Sequence, residues 1–66
     1  MEKFYSEMGA RIKKSMIDFQ TDAASMAGLL GISLATWYRK MNAPETFTFE
    51  ELHKLSRFFK WQGVTV

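Results

Sequence analysis

The residues of this chain best equipped to recognise another molecule lie together at Ser33-Leu34-Ala35-Thr36-Trp37-Tyr38-Arg39-Lys40. Arg39 is the most specific of them: a guanidinium presents its N–H donors as a rigid fork and can bond two acceptors at once, as on the edge of a guanine. Lys40 adds a second cation beside it, and Ser33 and Thr36 offer hydroxyls. Leu34 and Ala35 cannot hydrogen-bond through their side chains but can touch a thymine methyl. Covalent chemistry has far less to work with. His53 is the one histidine, and no cysteine, aspartate or second histidine clusters near it. Glu50 and Glu51 are accounted for as first-turn charges and a cap, where negative side chains suit the helix dipole. No Gly-rich phosphate loop, zinc-ligand spacing or serine with a base partner is visible. The expectation is a binding protein with no catalytic residue, metal, cofactor or small-molecule substrate.

For residues 33–40 to act together they need a helix, and the helix needs a support. Asp22 to Lys40 reads as helix, tight turn, helix. Thr21 or Asp22 supplies the side-chain oxygen that caps the first of these helices. Met26, Ala27 and Leu30 face inward, with the small Ala27 where the two helices cross. Gly31 can take the positive φ that reverses the chain, and Ile32 is the buried apolar residue of the turn. Ser33 caps the next helix, and Trp37, four residues on, points back into the core. Leu34, Ala35, Tyr38 and Arg39 then face outward. Two short helices joined by a brief Gly-containing turn form a helix-turn-helix, here about residues 22–41, and those four side chains lie on the face such a motif offers to a DNA major groove. Gly28 lies inside the first helix at a cost of roughly 1 kcal/mol against alanine; close approach of a neighbouring helix is one reason to expect it.

The remaining elements form the support. Met8, Ile12 and Met16 recur at four-residue spacing, with Phe4 and Phe19 extending the row, which predicts a helix over about 3–18. The helix carrying Trp37 should run from about Leu34 to Met41, with Asn42-Ala43-Pro44-Glu45 as a loop, because Pro44 pushes Ala43 out of helical geometry. Thr48-Phe49-Glu50-Glu51 is a capping box, and Phe47 with Leu52 fits the accompanying hydrophobic staple. A last helix over about Phe49 to Phe59 carries Leu52, Leu55 and Phe59 on one face. Gly63 breaks any helix after that, and Val64-Thr65-Val66 favours an extended tail.

Sixty-six residues make one domain, 1–66, so small that it buries only roughly 60% of its unfolded surface. With no cysteine it has no disulfide to help; six Phe, two Tyr and two Trp supply apolar bulk instead. Zero cysteine suits a cytoplasmic protein. No apolar run reaches the ~18 residues of a membrane span, and the first residues do not read as a secretion signal. A net charge of +2 and pI ≈ 9.2 are mildly basic, which permits nucleic-acid binding without requiring it. The elements add up to an all-α, compact four- to five-helix domain with a short C-terminal tail.

Met26-Ala27, Leu30-Gly31-Ile32-Ser33 and Thr36-Trp37-Tyr38-Arg39-Lys40, followed by Asn42 to Leu52, resemble the lambda-repressor-like, XRE-type helix-turn-helix family that includes phage Cro and repressor proteins. The resemblance covers roughly Gly9 to Phe59. It implies a transcriptional regulator, of the phage Cro type, that binds a double-stranded, palindromic operator and blocks a promoter. It also implies that the third helix reads bases through Leu34, Ala35, Tyr38 and Arg39. Backbone contacts are expected from Ser33, Thr36, Lys40, Asn42, Thr46 and the amide of Ala23, with Lys13 and Lys14 as weaker candidates. Ala23 and Ala24 stand where relatives often carry Gln or Glu, leaving only backbone N–H groups there. Phe58, Trp61, Val64 and Val66 are the candidates for a homodimer interface; the alternative for the rings is that they fold back over the core. A rival function uses the same fold as a protein-interaction module of the antirepressor or antitoxin kind, favoured by the low net charge and the apolar Leu34 and Ala35.

Overall fold

The computed structural model describes residues 2–61. Four α-helices and one 3-10 turn follow one another: α1 (Glu2–Asp18), α2 (Ala23–Leu30), α3 (Leu34–Asn42), the 3-10 turn (Pro44–Thr46) and α4 (Phe49–Phe59). No strand occurs among the described residues, and the fold is all-α as the periodicity requires.

The core draws on every helix. Met8 and Ile12 come from α1, Met26, Ala27 and Leu30 from α2, Trp37 from α3, and Leu55 and Phe59 from α4; Phe47, just ahead of α4, joins them. Ile12 and Leu55 have no exposed surface, and Trp37 retains 1%. Burying so large a ring fixes how α3 is rotated about its own axis, because successive residues of a helix point about 100° apart. The Phe47 ring meets Trp37 edge-on at 5.7 Å between centroids, tying the chain entering α4 to the centre of α3. α1 comes in close beneath the 3-10 turn: a methyl added at Gly9 would sit 3.2 Å from Pro44 Cγ.

Helix ends are closed by local hydrogen bonds. Thr48 and Glu51 form the expected capping box, with the Glu51 N–H donating to Thr48 Oγ1 at 3.1 Å and the Thr48 N–H to Glu51 Oε1 at 2.9 Å. α1 and α4 both end on a non-glycine residue in the left-handed region, Gln20 at φ 52° and Lys60 at φ 55°. After each, a backbone N–H turns back to the helix: Thr21 to the Met16 carbonyl and Trp61 to the Ser56 carbonyl, both at 3.0 Å. A Schellman-like end of this kind satisfies carbonyls that would otherwise lack a partner.

Several expectations need correction. Asn42 closes α3 rather than opening a loop, and Pro44 starts a 3-10 turn, where its missing N–H removes no bond. Phe4 and Phe19 are about half exposed, at 50% and 44%, so only the middle of the α1 row is core. Ile32 is half-buried rather than fully enclosed. Gly28 faces open space, with nothing within 4 Å of an added methyl, so no neighbouring helix explains it. Val64 and Val66, and the extended tail they belong to, lie outside the described residues.

Candidate nucleic-acid interface

The helix pair is held by short-range contacts that its sequence supplies directly. Asp22, not Thr21, is the cap of α2: its Oδ1 accepts from the Ser25 N–H at 2.8 Å. That backbone N–H, with the Ser25 hydroxyl, holds the Asp22 carboxyl below its ordinary value. Gly31 takes φ 71°, and the N–H groups of Gly31 and Ile32 return to the Gly28 and Ala27 carbonyls. Ser33 Oγ then accepts from the Thr36 N–H at 3.1 Å and starts α3. With Trp37 pinned inward, Leu34, Ala35, Tyr38 and Arg39 are all exposed, Leu34 at 45% and Tyr38 at 55%. The four form one outward row on a helix locked by its buried tryptophan.

A line of hydrogen bonds runs along the edge of that row. The Ser33 hydroxyl donates to Thr36 Oγ1 at 2.9 Å, and Arg39 Nη2 donates to the same oxygen at 3.0 Å. The guanidinium lies along the helix toward Thr36 and keeps further N–H donors beyond that one bond.

Lys40 has a different setting. Its ammonium pairs with Glu51 Oε1 at 3.0 Å, donates to the Thr46 carbonyl at 2.9 Å and lies 5.8 Å from the centroid of the Phe47 ring. The Lys40 and Glu51 side chains are only 15% and 13% exposed. Burial pushes the Glu51 carboxyl up, but the Thr48 N–H and the Lys40 ammonium outweigh it and hold the group below its ordinary value. The sequence suggested a phosphate contact for Lys40; in the structure its charge is engaged inside the protein, joining α3, the 3-10 turn and α4. Thr46 is also engaged, its hydroxyl donating to the Ala43 carbonyl at 2.7 Å.

A family model for the Cro/C1-type helix-turn-helix DNA-binding domain matches residues 11–62. The chain belongs to this family. It is a DNA-binding protein that regulates transcription. No curated protein and no solved structure matches it.

In this Cro/C1-type domain the remaining candidates for backbone contact separate. Asn42 is exposed at the end of α3 and shares a shallow groove with Lys13 and Ser6 of α1. Lys14, next to Lys13, instead forms an exposed pair with Asp18 at 3.3 Å. Ala23, half-buried at the start of α2, has the Asp22 carboxylate beside it, a negative charge at the end of the helix where an anion would approach. Two features were missed in the sequence. Glu51 doubles as cap and ion-pair partner, although only the cap spacing was readable. Lys13 reaches the neighbourhood of Asn42, 29 positions away, which only the crossing of α1 over the 3-10 turn brings about. No helix among the described residues is long and apolar enough to cross a membrane.

The rings near the end of α4 differ in setting. Trp61 folds back: it stacks on Phe59 at 5.6 Å between centroids, its indole N–H donates to Ser15 Oγ at 2.8 Å, and the Arg11 guanidinium lies 4.7 Å from its ring centroid. Phe58 stays 40% exposed beside Phe19, at 6.0 Å between centroids.

Proposed function

We propose that this chain is a sequence-specific repressor of the phage Cro kind, one domain over residues 1–66, acting in the cytoplasm of a bacterium or phage-infected host by occupying an operator that overlaps a promoter. The observation that carries the reading is the outward row of α3 next to a fully enclosed Trp37. α3 enters the major groove, Arg39 bonds the two acceptors of a guanine, and Leu34 and Ala35 pack on thymine methyls, with Tyr38 beside them. Asn42, Lys13 and Ser33 face the phosphates, while the Asp22 carboxylate keeps them from the amide of Ala23. Affinity falls with salt in proportion to the phosphates neutralised. A second copy, meeting the first through Phe58 and Phe19, places two reading helices about 34 Å apart on a palindrome.

Selection of bound duplexes from a random library at near-physiological salt tests this reading. A palindrome with half-sites about 10 base pairs apart supports both base reading and the dimer. A single unrepeated half-site keeps base reading and removes the dimer. No enrichment from folded protein overturns the reading and favours a protein partner on the apolar Leu34–Tyr38 row. Sedimentation with and without the selected duplex checks the dimer separately: a single copy per half-site at every concentration removes it.

A further inference from the structure

We infer that Thr36 is a positioning residue for Arg39, setting base preference by holding the guanidinium through its hydroxyl oxygen. The inference rests on the proposed reading of a guanine by Arg39 and assigns Thr36 a role different from the backbone contact expected of it.

Ser33 Oγ accepts from the Thr36 N–H at 3.1 Å and donates its own proton to Thr36 Oγ1 at 2.9 Å. Arg39 Nη2 brings a second donor to the same oxygen at 3.0 Å. A hydroxyl oxygen has two lone pairs, so one of the two on Thr36 is given to the Arg39 guanidinium and the other to the cap residue of α3. The geometry also suits the task. Residues three apart are neighbours one turn on but about 60° round the helix, so Ser33, Thr36 and Arg39 follow one another round toward the reading face.

The first of the three is fixed because it caps the helix. The second is β-branched, and its χ1 freedom is already small within a helix. The third is a long side chain that would otherwise sample many rotamers, and losing that freedom on binding weakens affinity. A bond made before DNA arrives leaves less to lose. It also lays the guanidinium along α3 toward Thr36. Arg39 and Thr36 line the same open surface depression beside α3. Lys40 also lines it, but its ammonium is tied to Glu51, so the guanidinium is the cation there with the greater reach.

The test uses the duplex enriched by selection, together with a set of duplexes changed one base pair at a time. Thr36→Val keeps the branched shape and removes the acceptor; Thr36→Ser keeps the acceptor. Arg39→Ala and the double variant Thr36→Val/Arg39→Ala complete a cycle, and a melting curve for each protein verifies folding. Thr36→Val is expected to lose about three- to tenfold of preference at the same base pair that Arg39→Ala affects, the scale of one exposed charge-assisted hydrogen bond. Non-specific affinity stays unchanged, Thr36→Ser restores the preference, and Thr36→Val adds nothing once Arg39 is absent. In the DNA-free protein, nitrogen relaxation at Arg39 Nε should show a more mobile side chain in Thr36→Val than in wild type.

Equal loss on every duplex overturns the inference and makes Thr36 a phosphate contact. An undiminished effect of Thr36→Val in the Arg39→Ala background overturns it as well. If Arg39→Ala changes no base preference, the guanine reading falls and this inference falls with it. If Arg39→Ala does change it while Thr36→Val does not, only the inference falls.

Discussion

Arg39 and Lys40 are neighbours in the chain and carry the same charge, yet they belong to different parts of the molecule. Arg39 is exposed and bonds along the surface of α3 to Thr36. Lys40 turns under the same helix to Glu51, the Thr46 carbonyl and the Phe47 ring. A rotation of about 100° per residue separates a side chain that can meet DNA from one that holds the helix in place. Cationic residues beside a recognition helix are therefore a poor measure of how many phosphates it neutralises. The buried Trp37, not the charge, decides which side each one takes.

The sharpest way to break this contrast is to remove Arg39. Arg39→Ala should cost between about fivefold and 150-fold in preference at one base pair, the roughly 1–3 kcal/mol of a bidentate contact, and leave the melting temperature unchanged. A uniform loss over all duplexes would make Arg39 another positioning charge. Lys40→Met should show the opposite pattern. Leaving Glu51 without its cation in a largely enclosed setting should lower stability by about 2 kcal/mol, less than a fully buried pair, and the melting temperature by about 10 °C. The salt dependence of DNA binding should keep its slope; a slope shallower by about 1 would mean that Lys40 reaches a phosphate in the complex.

Acid offers a third comparison. The Glu51 carboxyl is depressed from its ordinary 4.5 in the folded state, so its contribution is present above that value and fades as pH falls through the lower folded value. Glu51→Gln should flatten that part of the acid-unfolding curve, read by circular dichroism; an unchanged curve would mean that the Lys40 pair adds nothing to stability. Gly28→Ala should have the smallest effect of the four. It fills open space on α2 and should stabilise by up to about 1 kcal/mol with no change in base preference or affinity, separating firmness of the scaffold from recognition. A fall in DNA affinity would place α2 at Gly28 against the duplex.

Local signals in the sequence were sufficient for the scaffold. Cap, glycine and period placed α2 and α4 at their observed limits, because each of those signals acts within four residues. The outward row of α3 followed from the same logic once Trp37 was assigned to the core. What could not be read was pairing across elements. Lys40 meets Glu51 eleven positions away, and nothing in either residue's surroundings marks it for the other. Trp61 reaches Ser15 across 46 positions. Its return depends on the left-handed turn at Lys60, a conformation that lysine does not advertise as glycine would. Phe19 lies past the end of α1, half exposed with its ring against Phe59 at 5.4 Å, a contact 40 positions away that its place in an apolar row does not reveal.

That return of Trp61 gives the domain two native fluorophores in unlike surroundings. Trp37 is dry, 1% exposed and packed against a phenylalanine. Trp61 is half-buried, hydrogen-bonded through its indole nitrogen and overlain by a guanidinium. The first emits from an apolar medium and the second from a polar, charged one that a soluble quencher can reach. One reports on the centre of the helix pair, the other on the clasp between the ends of α1 and α4. If the clasp opens before the centre melts, the emission reddens in two stages; if they open together, in one.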